Sequence, residues 1–275
     1  RRRVPSLSKT TLSGWHRRRK EQANEIRNFK GTVCLFADEF TEFNESDIGI
    51  KTIMLLDTLG YRVIIPRHAE SGRTFLSKGL LRSARKIAIE NVTLLKDIIT
   101  EELPLVGIEP SAVLTFRDEY PELVGSDLAV AAKSLAANAL MIDEFICREA
   151  DRGNITSEMF TDKPLKILLH GHCQQKAIAS TAPTHRMLSL PANYSVGEIP
   201  SGCCGMAGAF GYEKEHYDLS MKIGEMVLFP AVREAEETVA IVAPGTSCRH
   251  QISDGTGRKA LHPVEVMYDA LIKVK

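Results

Sequence analysis

Short apolar runs alternate along this chain with longer stretches in which apolar residues recur at helical spacing. The runs VCLFADEF, residues 33–40, and ILLHGHCQ, residues 167–174, each open into polar residues, which is typical of a buried strand leaving its sheet. LGYRVIIP, residues 59–66, and ANYSVGEIP, residues 192–200, each combine a turn residue, an extended segment and a closing proline. The pattern predicts a strand in each of the four segments.

Long stretches at helical spacing follow these strands, at residues 74–102 and 213–237. We expect Pro230 to kink or split the second helix, because proline lacks the amide hydrogen that an inner helical position donates. Each half then closes with a strand and a turn, LVGIEPSAV at 105–113 and VAIVAPGTSC at 239–248. Strands that alternate with helices predict parallel sheets covered on both faces.

The same order of elements occurs twice, which indicates an internal duplication. The interval from Pro66 to Ser111 in the first copy is close to the interval from Pro200 to Ser247 in the second. We therefore predict an α/β fold with parallel sheets, arranged as an internally duplicated three-layer α/β/α structure with two pseudo-repeats. The predicted parts are a basic linker and leading helix in 1–30, with the helix at 17–29, a first repeat in 31–160 that contains a helical bridge at 117–152, and a second repeat in 161–275.

The composition favours a globular chain with a sizeable core, since 44% of the 275 residues are hydrophobic. Lys and Arg total 35, as do Asp and Glu, so the overall charge gives no indication of nucleic-acid binding. No apolar run has the length of a membrane-spanning helix. Residues 1–20 hold eight basic residues and no acid, which predicts either a solvated linker or a surface for an anionic partner.

The six cysteines fall into two groups. Cys34, in an apolar strand, and Cys147, on a helix, are expected to be small buried apolar residues. The other four follow strand ends of the second copy, where the carboxyl ends of parallel strands meet, so we expect them to converge. Converging thiolates bind zinc or an iron-sulfur cluster in a reducing compartment. The predicted ligands are Cys173, Cys203, Cys204 and Cys248.

The first copy has no cysteine at the matching positions. Cys203 and Cys204 align with Glu70 and Ser71 in that copy. Cys248 aligns with Ala112, and Cys173 falls near Phe40. Because the two copies share one backbone plan, the thiols are not needed merely to fold such a unit.

Other polar residues near these turns suggest further hypotheses. A nucleophilic cysteine paired with a histidine is the rival chemistry at the thiols, although it leaves three thiols unexplained. In the first copy, a hydrogen-bond network is expected in place of the thiols, and a carboxylate cation site is the weaker hypothesis. A segment after the turn that mirrors Cys248 either contacts a partner or forms internal ion pairs. The histidines of the rival chemistry are His170, His172 and His250. The hydrogen-bond network would involve Glu70, Ser71 and Arg73, and the cation site would involve Asp38, Glu39, Glu42 and Glu70. The segment after the turn contains Arg117, Asp118 and Glu119.

The motifs HGHCQQKA, SGCCGMAGAFGYE and PGTSCRHQ resemble those of the cysteine-rich CCG-domain family. This family includes the B subunit of heterodisulfide reductase, the iron-sulfur subunits of glycolate oxidase and anaerobic glycerol-3-phosphate dehydrogenase, and the carboxyl-terminal part of large FAD-linked 2-hydroxyacid dehydrogenases. The resemblance covers residues 31–271. ESGRTFLSKGLL and EPSAVLTFRDEYPEL are similar to a first repeat without its cysteines.

The resemblance implies an electron-transfer domain that holds a 4Fe-4S cluster, or zinc as the alternative. His172, His170 or His250 is a candidate for an additional nitrogen donor, and a histidine that hydrogen-bonds to a sulfur or caps a turn is the alternative. It implies flavin dehydrogenase and ferredoxin-like domains as partners, in the same or another chain, with FAD bound only there. Electrons would pass to a quinone, a membrane acceptor or another carrier, and no nucleic acid is involved. The implied setting is the cytoplasm or the periphery of the inner membrane, and the implied substrates are D-lactate, glycolate or 2-hydroxyglutarate.

The chain departs from the family at its last motif, which is Cys-x-x-Cys in the family. Here the motif ends in Gln251, so we expect one four-thiolate site and no double cluster. A structural or assembly domain with a zinc or empty thiol site is the alternative function. A thiol-dependent enzyme acting on a small molecule is the third hypothesis, although this part of the protein is not expected to be catalytic by itself.

Overall fold

A computed structural model describes residue 2, residues 4–22 and residues 29–272, which form two compact units. The first unit is Ser6–Phe145. The second unit starts at Ile146 and also includes Arg2, Val4 and Pro5. Each unit contains a sheet whose strands pair in parallel, so the predicted α/β class with two repeats is confirmed.

The first unit contains a four-stranded sheet in the order β2-β1-β3-β4. Its central strand β1 is buried because it pairs on both sides, Val33 with Val63 and Cys34 with Leu105. The strands are β1 (Gly31–Leu35), β2 (Tyr61–Ile64), β3 (Leu105–Gly107) and β4 (Ala139–Met141). The helices are α1 (Leu12–Gln22), α2 (Glu39–Phe43), α3 (Ser46–Thr58), α4 (Arg73–Ser77), α5 (Leu81–Leu95), α6 (Pro110–Val113), α7 (Glu119–Leu123) and α8 (Ser126–Asn138), and α9 (Ile142–Asp151) starts here and continues into the second unit.

The second unit contains a three-stranded sheet in the order β6-β5-β7. Its central strand pairs through Ile167 with Val196 on one side and with Ala240 on the other. The strands are β5 (Leu165–Leu169), β6 (Tyr194–Glu198) and β7 (Ala240–Val242). The helices are α10 (Cys173–Ile178), α11 (Ala182–Leu188), α12 (Tyr217–Met226), α13 (Leu228–Glu234), α14 (Thr246–Thr256) and α15 (Pro263–Ala270).

Both long predicted helices are divided. The first becomes α4 and α5, because Gly79 adopts a φ of 70° between them. The second stops at Met226 and resumes at Leu228. Pro230 explains this break, because its ring clashes with the carbonyl group four residues earlier, that of Met226.

The segments that flank the first repeat also differ from the prediction. The leading helix starts at Leu12, earlier than predicted, and residues 23–28 of the predicted helix lie outside the described residues. The helical bridge is interrupted by β4, whose Ala139 pairs with Leu105. This pairing is a contact between distant parts of the chain, so local periodicity gave no sign of it.

The two compact units divide between Phe145 and Ile146, inside α9. This division by contacts does not test the repeat boundaries, which stay a prediction. Within the described ranges, none of the helices combines the length and apolar character that a membrane span requires.

Candidate metal centre

The cysteine-bearing segments of the second unit all follow strand ends. β5 ends at Leu169, and α10 begins at Cys173. β6 ends at Glu198, ahead of the loop that carries Cys203 and Cys204, and Cys248 lies in the first turn of α14, after β7. Since the three strands are parallel, these segments leave the sheet at the same edge.

The sheet brings the four thiols into one connected cluster. The Sγ atoms of Cys204 and Cys248 lie 3.4 Å apart, and both residues are buried. Cys203 is hydrogen-bonded to Cys204 and to Cys173, which is the most exposed of the four. The Sγ of Cys203 also accepts a hydrogen bond from the backbone N–H of Gly205, at 3.3 Å.

Hydrogen bonding within the cluster shifts the pKa values of its cysteines in opposite directions. Hydrogen bonding with Cys173 and Cys204 lowers the pKa of Cys203, and hydrogen bonding with Cys204 lowers the pKa of Cys248. Hydrogen bonding with Cys203, and for Cys204 also with Cys248, acts together with burial to raise the pKa values of Cys173 and Cys204. The lowered pKa values of Cys203 and Cys248 suit a metal cation, because metal ligands must be deprotonated.

His170 contributes a nitrogen to the same cluster. One of its ring nitrogens lies within 4.8 Å of the Sγ atoms of both Cys204 and Cys248. Its Nδ1 lies 2.7 Å from Ser201 Oγ, whereas its Nε2 is buried without a hydrogen-bond partner among the described residues. A histidine whose ring is held by a hydrogen bond at one nitrogen has the usual arrangement of a metal ligand.

His172, the histidine singled out from the sequence, caps a helix. Its Nδ1 accepts a hydrogen bond from the N–H of Gln174, at 3.2 Å, at the start of α10. By contrast, the backbone N–H of His170 donates to Val242 O at 2.8 Å, so the backbone of His170 is still hydrogen-bonded to the sheet. His170 and His172 are two positions apart, so strand alternation would place their side chains on the same face of the sheet. In the sequence they differ only in their distance from the end of β5.

Glycines allow the close backbone packing around the thiols. Gly205 has a φ of 94°, and a Cβ atom there would lie 2.4 Å from Ser220 O. A Cβ atom on Gly245 would lie 2.4 Å from the ring of His172 and 3.3 Å from the Sγ of Cys248. Neither position can take a side chain without moving the groups beside the thiols.

The side-chain amide of Gln251 donates hydrogen bonds to the backbone beside the cysteines. Its Nε2 donates to the carbonyl oxygens of Cys204, at 2.7 Å, and Ser220, at 2.9 Å. His250, considered above as the partner of a nucleophilic cysteine, has its Nδ1 2.6 Å from the hydroxyl of Tyr212.

Hydrogen bonds occupy the equivalent place in the first unit. α2 begins at Glu39, after the Asp38 cap, as α10 begins at Cys173 after His172. The position equivalent to Cys173 is therefore Glu39, one residue before the expected Phe40. Glu39 accepts hydrogen bonds from the Oγ of Ser71, at 2.7 Å, and from its N–H, at 3.0 Å.

The other polar residues of the first unit are also engaged internally. Asp38 accepts hydrogen bonds from Thr41 and Phe40, and burial raises its pKa well above the usual value. Glu42 accepts hydrogen bonds from Ser13, so these carboxylates serve internal contacts. The ion pairs expected as the structural alternative are formed, Arg117 with Glu144 and Arg73 with Glu119.

Sequence comparison relates this chain to parts of dehydrogenases, although no family model matches it. It is 27% identical over 275 residues to the C subunit of anaerobic glycerol-3-phosphate dehydrogenase from Escherichia coli K12, covering 98% of this chain and 66% of that protein. It is 30% identical over 238 residues to D-2-hydroxyglutarate dehydrogenase of Pseudomonas putida, covering 86% of this chain and 22% of that enzyme. Lactate utilization protein A of Macrococcus caseolyticus is 26% identical over 257 residues, covering 86% of this chain and 95% of that protein.

Structural comparison supports the fold. A hypothetical protein from Helicobacter pylori matches all of this chain and 52% of its own length, with a TM-score of 0.54 and 10% identity. At this identity the likeness shows the fold alone. The expected similarity to glycerol-3-phosphate and 2-hydroxyglutarate dehydrogenases is confirmed, while the chain spans only 66% and 22% of the lengths of these two relatives.

Proposed function

We propose that the second unit binds one metal centre, a 4Fe-4S cluster, and serves as an electron-transfer domain. The proposed ligands include His170 in place of His172, because a ring nitrogen of His170 lies within 4.8 Å of two sulfur atoms and its Nε2 is buried without a described hydrogen-bond partner. This connected donor set is the observation that carries the proposal. Its members are Cys173, Cys203, Cys204, Cys248 and His170.

The residues present fit such a centre. Thiolates are the ligands that iron-sulfur clusters use, and a bound cluster would take up and release one electron at a time. The lowered pKa values of Cys203 and Cys248 favour the deprotonated form that binds a metal, and Cys204 and Cys248 are buried away from water. Ser201 orients the ring of His170, and the backbone N–H of Gly205 donates to one of the sulfur atoms.

The relatives support a place in an oxidoreductase. Their names include glycerol-3-phosphate, D-2-hydroxyglutarate and lactate, each of which carries an oxidisable hydroxyl group. We infer that the domain accepts electrons from a flavin domain that oxidises a 2-hydroxyacid, and passes them to a quinone or another carrier. D-Lactate, glycolate and 2-hydroxyglutarate are the proposed substrates of the whole protein, and FAD belongs to the flavin domain.

A zinc-binding structural domain is the second candidate. It is favoured by Gln251, which lies three residues after Cys248, where the related family has a further cysteine. The side-chain amide of Gln251 donates to backbone carbonyls and offers no thiolate. A site with four cysteine ligands and no fifth cysteine satisfies the tetrahedral preference of zinc. This candidate assigns the chain no electron-transfer role.

Metal analysis after anaerobic purification of the full chain distinguishes the two candidates. We expect about four iron atoms and as much acid-labile sulfide per chain. We also expect a paramagnetic signal that appears or changes on reduction. Stoichiometric zinc without iron would overturn the electron-transfer role, and the absence of any bound metal would overturn the metal centre itself.

A pair of variants links the centre to the cluster of thiols. Cys204→Ser should abolish iron binding, because it removes the thiol that contacts both Cys203 and Cys248. Cys147→Ser is the matched control, since Cys147 is also buried and donates to Pro183 O at 3.3 Å, a bond that a serine hydroxyl can make. The control should retain the iron content of the parent chain, and equal losses in the two variants would contradict the assignment.

A further inference from the structure

The side chain of Arg2 is buried in the second unit, at 2% exposure. Its Nε pairs with Asp254 at 2.7 Å, and its NH1 donates to Gly211 O at 2.5 Å. Its NH2 donates to Oε1 of Gln251. One guanidinium group thus joins the loop after the paired cysteines to helix α14.

Two tyrosines also surround the guanidinium group of Arg2. Its guanidinium carbon lies 5.8 Å from the ring centre of Tyr212 and 5.5 Å from that of Tyr217, within the range of cation-π contact. The adjoining groove, of about 420 Å³, is lined by Arg2, Tyr212, Glu213, Lys214, Glu215, Tyr217 and Asp218. The aromatic faces of the two tyrosines, and the excess of carboxylates along the groove, favour the positive charge of the Arg2 guanidinium at this place.

Gln251 connects the binding place of the Arg2 guanidinium to the metal site. Its Oε1 accepts from Arg2, while its Nε2 donates to the carbonyl oxygens of Cys204 and Ser220. If the amide turned over, its NH₂ group would face the guanidinium and its oxygen would face two carbonyl oxygens, so every one of these hydrogen bonds would be lost. The contact from Arg2 therefore favours the same amide orientation as the two carbonyl groups, the one that holds the backbone of Cys204.

We propose that Arg2 is a positioning residue for the thiol site and acts through Gln251. Gln251 lies one helical turn after Cys248 on α14 and holds the Cys204 carbonyl group, so it fixes the two sulfur-bearing segments relative to each other. Arg2 fixes Gln251 in turn. The inference rests on the proposed metal site but is independent of whether the metal is iron or zinc.

Cobalt titration of the metal-free full chain under anaerobic conditions tests this role. Arg2→Ala should weaken Co²⁺ binding about ten- to a hundredfold, as is typical when a group that orients a metal ligand is lost. Arg2→Lys should recover part of the affinity, because lysine keeps the charge beside Asp254 but lacks the guanidinium fork. Arg186→Ala, which removes an exposed ion pair with Asp151 in the same unit, is the control and should bind as tightly as the parent.

A double-mutant cycle tests the route through Gln251. Gln251→Leu should weaken binding as Arg2→Ala does, and the two changes together should cost little more than either one. Additive losses would overturn the proposal, as would unchanged Co²⁺ affinity in a folded Arg2→Ala chain. Thermal melting identifies any variant that fails to fold.

Thiol alkylation of the metal-free chain provides a readout that needs no metal. Arg2→Ala and Gln251→Leu should each accelerate alkylation of Cys204 severalfold, without additivity, while Arg186→Ala should leave the rate unchanged. If the parent binds no Co²⁺, the proposed metal site fails, yet this non-additive change in the alkylation rate would still support the positioning role. Equal rates in the parent and both variants would overturn it.

Discussion

The sulfur atoms of Cys204 and Cys248 lie 3.4 Å apart, although 44 positions separate the two residues in the chain. Strand order explains their meeting, because β6 and β7 lie on either side of β5. The segments that follow these two strands therefore converge over the carboxyl end of the central strand, where His170 follows β5 directly.

The two histidines near the cysteines should respond differently to substitution. His170→Ala should reduce metal affinity or change the absorption spectrum of the bound metal, because a ring nitrogen of His170 lies beside the thiols and its Nε2 has no described hydrogen-bond partner. His172→Asn should retain the metal, since asparagine is a good amino-terminal cap and can accept the Gln174 N–H. Loss of metal in His172→Asn with full retention in His170→Ala would show that the assignment is reversed.

Cys203 should be the first cysteine that iodoacetamide alkylates in the metal-free chain. Its pKa is lowered from the usual 9.0 by hydrogen bonds from Cys173 and Cys204, so it is a thiolate at pH 7. Cys173 is more exposed, but its raised pKa keeps it protonated. The Cys203 rate should stay nearly constant between pH 6 and 8, because protonation begins only well below this range. Peptide mass spectrometry over time gives the order, and earlier labelling of Cys173 would contradict the expected charge distribution.

The glycines on either side of the paired cysteines form a matched test. Gly205→Ala should destabilise the chain by about 3 kcal/mol, because of its positive φ and the 2.4 Å approach of a Cβ atom to Ser220 O. Gly202→Ala should change stability by about 0.5 kcal/mol or less, since no atom lies within 4 Å of a Cβ atom there. Urea denaturation of both full-length variants provides the comparison, which would fail if the two midpoints were equal.

Asn91 should be a structural residue of the first unit, without influence on metal binding. Its side chain accepts from the Ala69 N–H and donates to Glu70 O and Tyr120 Oη, each at 2.8 Å. Asn91→Leu should lower the free energy of unfolding by roughly 2–4 kcal/mol, because buried polar groups lose their partners.

Metal content and a surface variant serve as the checks on Asn91. The iron or zinc content of folded Asn91→Leu should match that of the parent. Asn138→Ala is the control, since its hydrogen bond to Ser134 O is exposed and should contribute little. A loss of metal in folded Asn91→Leu would show that the first unit contributes to the centre.

Much of the architecture was predictable because its signals are local. Apolar runs, helical spacing and turn residues indicated strands and helices wherever the elements were regular, and Pro230 indicated the division between α12 and α13. β4 was missed, because Ala139–Met141 is a short strand defined by its pairing with β3. The thiols were recognised as candidate ligands because their residue type and their positions after strands are both visible in the sequence.

The sequence by itself determined the α/β class, the duplication and the group of cysteines, since periodicity and residue type are properties of neighbouring positions. The tertiary structure alone decided which histidine faces the sulfur atoms, and it placed the amide of Gln251 on the carbonyl group of Cys204. It also placed Arg2 against Gln251. These contacts join residues that are distant in the chain, and their geometry depends on how loops and helices pack after the strands have paired.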